Sequence, residues 1–285
     1  MKKLLPAIAF LALALLLLVG CGSSDDSSDS SDQTAAACNK PGQLDTQTAG
    51  VLTVATDSPA FPPYFEDDDP TNGEGFESAV AYAIAKYLGY PPAKVKWTVE
   101  PFDSSYAPGP KDFDFDVNQI SITPDRAKQV DFSSPYYTAN QAIVALKGSD
   151  AAKATSLADL KDAKMGLQIG TTSLEAVEEE IEPSEQPQVY NTSNDVVTAL
   201  KNEQVEAVVV DLPTALYLTA VQVPEASVVG QFSAPGGDQW GALLAKDSSL
   251  TACVSQAIDA MRDSGELSEI TQRWMSQAAG APELR

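Results

Sequence analysis

The sequence predicts an α/β protein built as one large domain or two lobes. Short β-rich apolar runs alternate with helix-like stretches along most of the 285 residues, a pattern that favours largely parallel sheets covered by helices. An export-like N-terminus and a polar spacer occupy the chain up to residue 37, leaving a body long enough to bury a sizeable core. No internal repeat is present.

The first segments stand apart from that body. Lys2 and Lys3 precede an almost unbroken apolar run over residues 4–19, and Leu18-Val19-Gly20-Cys21 leads into Gly22-Ser23-Ser24-Asp25-Asp26. A basic start, an apolar stretch and a small-residue cleavage site describe an export signal, and so short a run is marginal for a bilayer core of roughly 30 Å. A cysteine at the cleavage point resembles the bacterial lipoprotein signature, in which the thiol is acylated and becomes the new N-terminus. The expectation is a signal over residues 1–20, lipidation at Cys21 and attachment to the outer face of a bacterial membrane. An ordinary secretory signal with a chance cysteine is the alternative. Residues 21–37 are rich in Ser and Asp, cannot bury enough surface to offset their ordering entropy, and read as a tether.

In the body, residues 51–56 form a compact β-rich run ending at Asp57. Residues 77–88 read as a helix with Val80, Ile84, Tyr87 and Leu88 on one face and Gly89 as its stop. Residues 94–99 alternate Val95, Trp97 and Val99 like a half-buried strand, and residues 113–122 read as another. Thr123-Pro124 then supplies an N-cap and a proline suited to the first position of a helix. Further strands are expected over 142–146, 165–169 and 205–210, and helices over 156–161, 172–181 and 194–202. Toward the end, Leu250, Val254, Ala257, Ile258 and Met261 form one amphipathic stripe, and Leu267, Ile270 and Trp274 another.

Composition removes several function classes. A net charge of −22, made more acidic by loss of the two signal lysines, opposes binding to nucleic acid or anionic lipid. The chain has no histidine, which excludes histidine general bases and histidine-ligated metals. After Cys21 only Cys38 and Cys253 remain, too few for a zinc cluster. An oxidising exterior suits a disulfide between them; two separate thiols are the alternative.

Three features look like a binding site. Arg126 lies in Ser121-Ile122-Thr123-Pro124-Asp125-Arg126, while the other three arginines all follow position 260. Its rigid fork meets a carboxylate with two parallel hydrogen bonds, although a surface arginine paired with Asp125 or Asp131 reads equally well. Gly170-Thr171-Thr172-Ser173 follows a strand and opens a helix, so free N–H groups and hydroxyls there suit an anion, or merely cap the helix. Asp211 ends a strand where α/β proteins bind their ligands, or caps the helix that follows. Together, a fork, a helix start and a carboxylate suit a zwitterion with an α-carboxylate and an α-ammonium.

The segments 50–57, Gly75-Phe76-Glu77, 120–126, 130–137, Gly170-Thr171-Thr172 and 205–211 occur in an order and spacing that resemble the family 3 extracellular solute-binding proteins, the amino-acid receptors of ABC importers. The resemblance covers about residues 44–275. It implies a type II periplasmic-binding-protein fold, with lobe one at 38–138 and 236–285, lobe two at 139–235, and two crossovers as the hinge. By position, Arg126 with Thr171 and Thr172 would hold the ligand carboxylate. Asp211 and Ser121 would accept its amino group, and Phe61 and Phe102 would sandwich its side chain or else serve as ordinary core. Asp57, Asn118, Gln119 and Gln168 fall where specificity is shaped.

Asn118-Gln119 stands where relatives carry a small pair, and the rim from Phe61 to Asp69 is longer than usual, so basic, amide and acidic amino acids all remain open. The expected protein is a monomeric receptor that closes on a polar amino acid and presents it to ABC permease subunits. It would touch the membrane through its lipid alone, bind no nucleic acid, and need no cofactor, metal or catalytic residue. A sensor without transport is one alternative. A cyclohexadienyl-dehydratase-like enzyme is another, and would need a cleft acid such as Glu77 or Glu100.

Overall fold

A computed structural model describes residues 38–234, 236–276 and 281–285, so the proposed signal, Cys21 and the tether lie outside the described residues. The strands fall into two five-stranded sheets, one per lobe. The first is ordered β2-β1-β3-β10-β4, with β1 at Leu52–Thr56, β2 at Val95–Val99, β3 at Phe115–Asp116, β4 at Val130–Ala139 and β10 at Asp238–Ala245. The second is ordered β7-β6-β8-β5-β9, with β5 at Gln141–Leu146, β6 at Met165–Gln168, β7 at Gln188–Tyr190, β8 at Ala207–Asp211 and β9 at Ala226–Phe232.

Both sheets are mixed rather than largely parallel. β1 runs parallel to β2 and β3, and β6 parallel to β7 and β8. β10 lies antiparallel to β3 and β4, and β5 antiparallel to β8 and β9. The antiparallel members β5 and β10 are those the chain enters directly from the other lobe, without a covering helix to turn it round.

Helices cover these sheets where the apolar stripes require it. In α1 (Phe76–Tyr87), Val80, Ala81 and Ile84 pack on Leu52 and Val54 of β1. Val254, Ala257, Ile258 and Met261 of α6 (Thr251–Ser264) and Leu267 of α7 (Glu266–Met275) complete that core. Gly75 precedes α1 at φ 99°, and a Cβ there would stand 2.3 Å from the Tyr64 carbonyl oxygen, so this entry admits only glycine. The shorter helices α2 (Phe102–Ser105), α3 (Thr172–Ala176), α4 (Ser193–Lys201) and α5 (Leu212–Tyr217) all lie near the cleft between the lobes.

Cys38 and Cys253 are joined, with Cα atoms 5.3 Å apart, fastening the N-terminal arm to α6. The end of the chain departs from its expected place in the first lobe. Gln231 of β9 donates to the Pro282 carbonyl and accepts from Leu284 N–H, each at 2.8 Å, and Leu284 is buried with Ile143, Leu160 and Phe232. The 281–285 segment therefore runs along β9, and its Leu284 joins the second sheet's core.

Three other expectations change. The strand foreseen over 113–122 shrinks to Phe115–Asp116, because Gln119 turns the chain at φ 51°. That left-handed turn is held from below by Glu77, which accepts the Gln119 N–H at 2.7 Å, its side-chain amide, and the Tyr136 hydroxyl at 2.5 Å. The helix foreseen after Thr123-Pro124 is a single 3-10 turn, Arg126–Lys128, and Thr123 still caps it by accepting the Arg126 N–H at 3.2 Å. The helix at 156–161 is likewise a 3-10 turn, Leu157–Leu160, closed by a Ser156–Asp159 capping box.

Glu77 is fully buried, and desolvation raises its pKa from 4.5 to about 7 against the opposing hydrogen bonds from Tyr136 and Gln119. A folded pKa above the unfolded one means the neutral acid favours folding. Its contribution is complete below about pH 4 and is lost as pH rises through 7. The melting temperature of Glu77→Gln should therefore vary less than wild type between pH 5 and 8, by several degrees in a thermal-melt series. Parallel curves for the two proteins would place the Glu77 transition outside this window.

Candidate functional site

The loops that leave the C-terminal ends of β1, β3, β6 and β8 converge on one cleft, the position at which open α/β sheets present ligand-binding groups. A cavity of about 390 Å³ lies there, and its lining includes Asp57, Phe61, Phe102, Asn118, Gln119, Ser121, Arg126, Gln168, Thr171, Thr172 and Asp211. The residues singled out from the sequence thus meet around one space, with contributions from both lobes.

Arg126 is only 8 % exposed, yet it forms no ion pair among the described residues. Its two sequence-nearest candidates are taken elsewhere: Asp125 pairs with Lys128 at 2.5 Å and Asp131 with Lys246 at 3.1 Å. Nη1 donates to the Ser121 carbonyl and Nη2 to the Gly170 carbonyl, each at 2.8 Å, so the guanidinium joins the first lobe to the second. The Phe102 and Tyr106 rings lie 5.4 and 4.8 Å from its Cζ. Burial acts to lower its pKa, and the fork keeps three further N–H donors for an anion in the cavity.

Asp211 stands at the end of β8 and makes no capping bond to α5. Oδ1 instead accepts from the Gln141 amide at 2.8 Å, and the same amide nitrogen donates to Asp238 at 2.7 Å. Gln141 in turn accepts from the Ser173 hydroxyl at 2.6 Å. Desolvation, reinforced by the charge of Asp238, holds Asp211 well above the ordinary carboxylate range, against the Gln141 hydrogen bond and the positive charge of Arg126.

Around these two charges the hydroxyls are differently committed. Ser121 and Thr172 face each other across the lobes at 3.4 Å. Thr171 caps α3 by accepting from Leu174 N–H at 3.3 Å and donates to the Gln168 carbonyl at 2.9 Å, so its hydroxyl is already engaged. The first N–H groups of α3 have no partner within the helix. The Tyr64 and Thr214 hydroxyls also meet between the lobes, at 2.8 Å.

The remaining expected residues also line the cavity. Phe61 approaches Tyr217 of the second lobe with ring centroids 6.2 Å apart, whereas Phe102 packs edge-on against Tyr106 at 5.6 Å. Asp57 accepts from Ser58 N–H at 2.7 Å and Phe102 N–H at 3.3 Å, and burial raises its pKa against those bonds. Gln168 accepts from Ser193 at 2.6 Å. The Gln119 side chain turns down to Glu77, and Asn118 is largely buried. Glu77 and Glu100 are absent from the lining, so neither presents an acid to the cavity.

Gln141, Thr214, Tyr217 and Tyr106 were not singled out from the sequence, and Ser173 and Tyr64 entered only as members of the 170–173 turn and the 61–69 rim. Only Gln141 carries a local signal, as a polar residue at the head of the buried apolar run 142–146.

Comparison with known proteins shows the family and the fold. The model of the bacterial extracellular solute-binding proteins, family 3, matches residues 52–277. The arginine-binding extracellular protein ArtP of Bacillus subtilis (strain 168) is 29 % identical over 282 residues, covering 97 % of this chain and 99 % of that protein. An ancestral arginine-binding protein bound to glutamine superimposes with a TM-score of 0.67 at 33 % identity, covering 80 % of this chain and 98 % of the other. The ancestral amino-acid-binding protein AncCDT-1, a precursor of cyclohexadienyl dehydratase, gives a TM-score of 0.65 at 28 % identity over 79 % of this chain and 95 % of its own. On its sequence, its two-sheet architecture and the match across its folded body, the chain belongs to the bacterial extracellular solute-binding proteins of family 3.

Proposed function

We propose that this protein is a lipid-anchored receptor that takes up one polar amino acid between its lobes and delivers it to the membrane subunits of an ABC importer. The observation that carries this reading is Arg126, a buried guanidinium without a carboxylate partner among the described residues, facing a cavity whose opposite charge is Asp211. A zwitterion supplies both missing partners at once. Its carboxylate would meet Arg126 and the first N–H groups of α3, and its ammonium would meet Asp211 with Ser121 as a second acceptor. Because these groups come from two lobes, the full set of bonds forms only on closure, and the ligand favours the closed arrangement by that difference.

Lobe one is assigned residues 38–138 and 236–276, lobe two residues 139–235 together with 281–285. Besides Arg126 and Asp211, the charged residues of the lining are Asp57 and Asp103, both acidic. A ligand side chain there meets negative charge only, which favours cationic and neutral polar amino acids over glutamate and aspartate. The arginine and glutamine named for the relatives fit that sign. Binding rather than turnover is the reading that the names of the relatives favour. Attachment through Cys21 is proposed on the signal-like N-terminus alone; among the described residues no helix is long and apolar enough to cross a membrane. The receptor is proposed to act as a monomer.

Thermal-shift screening should show stabilisation by L-arginine, L-lysine, L-histidine or L-glutamine and none by L-glutamate or L-aspartate, since saturating ligand raises stability as RT ln(1 + [L]/Kd). Arg126→Ala should abolish that shift. Each lost charge-assisted hydrogen bond costs roughly 1.5–3 kcal/mol, so a near-wild-type affinity in calorimetry would reject the reading.

Asp211 gives a separate test. An arriving ammonium lowers the raised pKa of this group, so binding near that pKa releases a proton, and affinity weakens as the solution is acidified. Calorimetry in buffers of different ionisation enthalpy should detect the release in wild type and not in Asp211→Asn. Equal proton counts would remove Asp211 from the ammonium site.

A further inference from the structure

Tyr106 lies just past the end of α2 and is absent from the cavity lining, yet three contacts concentrate on it. Its ring lies 4.8 Å from the Arg126 Cζ and meets the Phe102 ring edge-on, so the guanidinium rests on a corner made by two aromatic rings. Its hydroxyl donates across the cleft to the Gly170 carbonyl at 3.4 Å, the same oxygen that accepts Arg126 Nη2 at 2.8 Å. Finally, a Cβ at Gly170 would stand only 2.2 Å from that hydroxyl oxygen, and Gly170 holds φ 70°, where side chains are strained in any case. The turn after β6 therefore abuts the tip of Tyr106.

We propose that Tyr106 is a positioning residue that fixes the orientation of Arg126 and serves as the stop at which the two lobes cease to close. The inference rests on Arg126 as the carboxylate anchor for its first half only; the stop concerns lobe separation. The ring restricts the guanidinium by a cation–π contact, an interaction whose strength rises when water is excluded. The hydroxyl and the guanidinium share one carbonyl of the other lobe, so the approach of the lobes and the aim of the fork are set by one contact. Gly170 is required there because only a residue without a Cβ lets the second lobe come that close. A tyrosine serving only as core packing would use its ring alone, and loss of the hydroxyl would then change nothing.

The test uses the mature chain carrying spin labels at Lys96→Cys in the first lobe and Lys201→Cys in the second, both exposed positions. Pulsed electron-spin distances are recorded with and without L-arginine, and calorimetry reports its affinity. Tyr106→Phe keeps the ring and removes the hydroxyl. It should broaden the closed distance and weaken L-arginine by about 2- to 10-fold, the range of one neutral hydrogen bond. Tyr106→Leu should weaken it further and shift the nitrogen NMR signal of the Arg126 guanidinium, which a residue with no hold on that side chain would leave in place. Gly170→Ala should lengthen the closed distance, and combining it with Tyr106→Leu should shorten that distance again.

Tyr106→Phe indistinguishable from wild type in distance and affinity, or a double variant no more closed than Gly170→Ala alone, overturns the proposal. If L-arginine fails to bind, distances without amino acid still decide whether Tyr106 is a stop. Unchanged binding in Arg126→Ala with altered distances in the Tyr106 variants would remove the anchor role and keep the stop.

Discussion

The site depends on keeping one positive charge where water is scarce. Desolvating a guanidinium without a counter-ion is costly, and the protein offsets this with neutral groups: two carbonyl oxygens, at Ser121 and Gly170, and two aromatic faces. A permanent carboxylate partner would stabilise Arg126 more, but it would compete with any anion arriving in the cleft. Carbonyls and rings hold the fork in place and leave its charge unneutralised. Asp125 and Asp131, the carboxylates nearest in sequence, are kept away by lysines of their own.

The opposite pole follows the same logic with the sign reversed. Asp211 is oriented by an amide that also binds Asp238, so its geometry is fixed by a neutral group while its charge stays uncompensated. The Asp238 carboxylate, held by the same donor, adds to the cost of ionising Asp211, which suits an arriving cation. Glu77 plays a different part, shaping the floor by holding the 118–121 turn. Asp116 in β3 is buried with neither carboxyl oxygen hydrogen-bonded among the described residues, and desolvation holds it well above the carboxylate range. The high acidity of the chain therefore includes carboxyl groups whose ionisation the fold opposes.

Much of this was legible because it is local. Short apolar runs marked β1, β5, β6 and β8, amphipathic stripes marked α1, α6 and α7, and the one arginine outside the C-terminal stretch is the one buried beside the cavity. The strands β4, β7, β9 and β10 went unseen, and for β4 and β10 the partners decide the pairing. β4 carries Asp131, Ser133, Ser134 and Pro135, and β10 opens with Asp238-Gln239, so their polarity hides a pairing that β10 and β4 complete together. The missed site residues share that property. Tyr106 acts on Gly170 at a separation of 64 residues and Gln141 on Asp238 at 97, distances at which spacing carries no signal. The turn at Gln119 was misread as strand because a non-glycine in left-handed backbone leaves no mark in composition; only the buried acid beneath it explains the conformation.

The disulfide has a mechanical consequence. It welds the segment at Cys38 to α6, a helix packed on β4, and both ends of the bridge sit in the first lobe. Any pull exerted on the chain ahead of Cys38 is therefore absorbed by that lobe as a rigid load and never reaches the cleft. Under the proposed tether and closure, the first lobe would be the fixed frame and the second the swinging part, so strain in the tether would leave the equilibrium between open and shut unaltered.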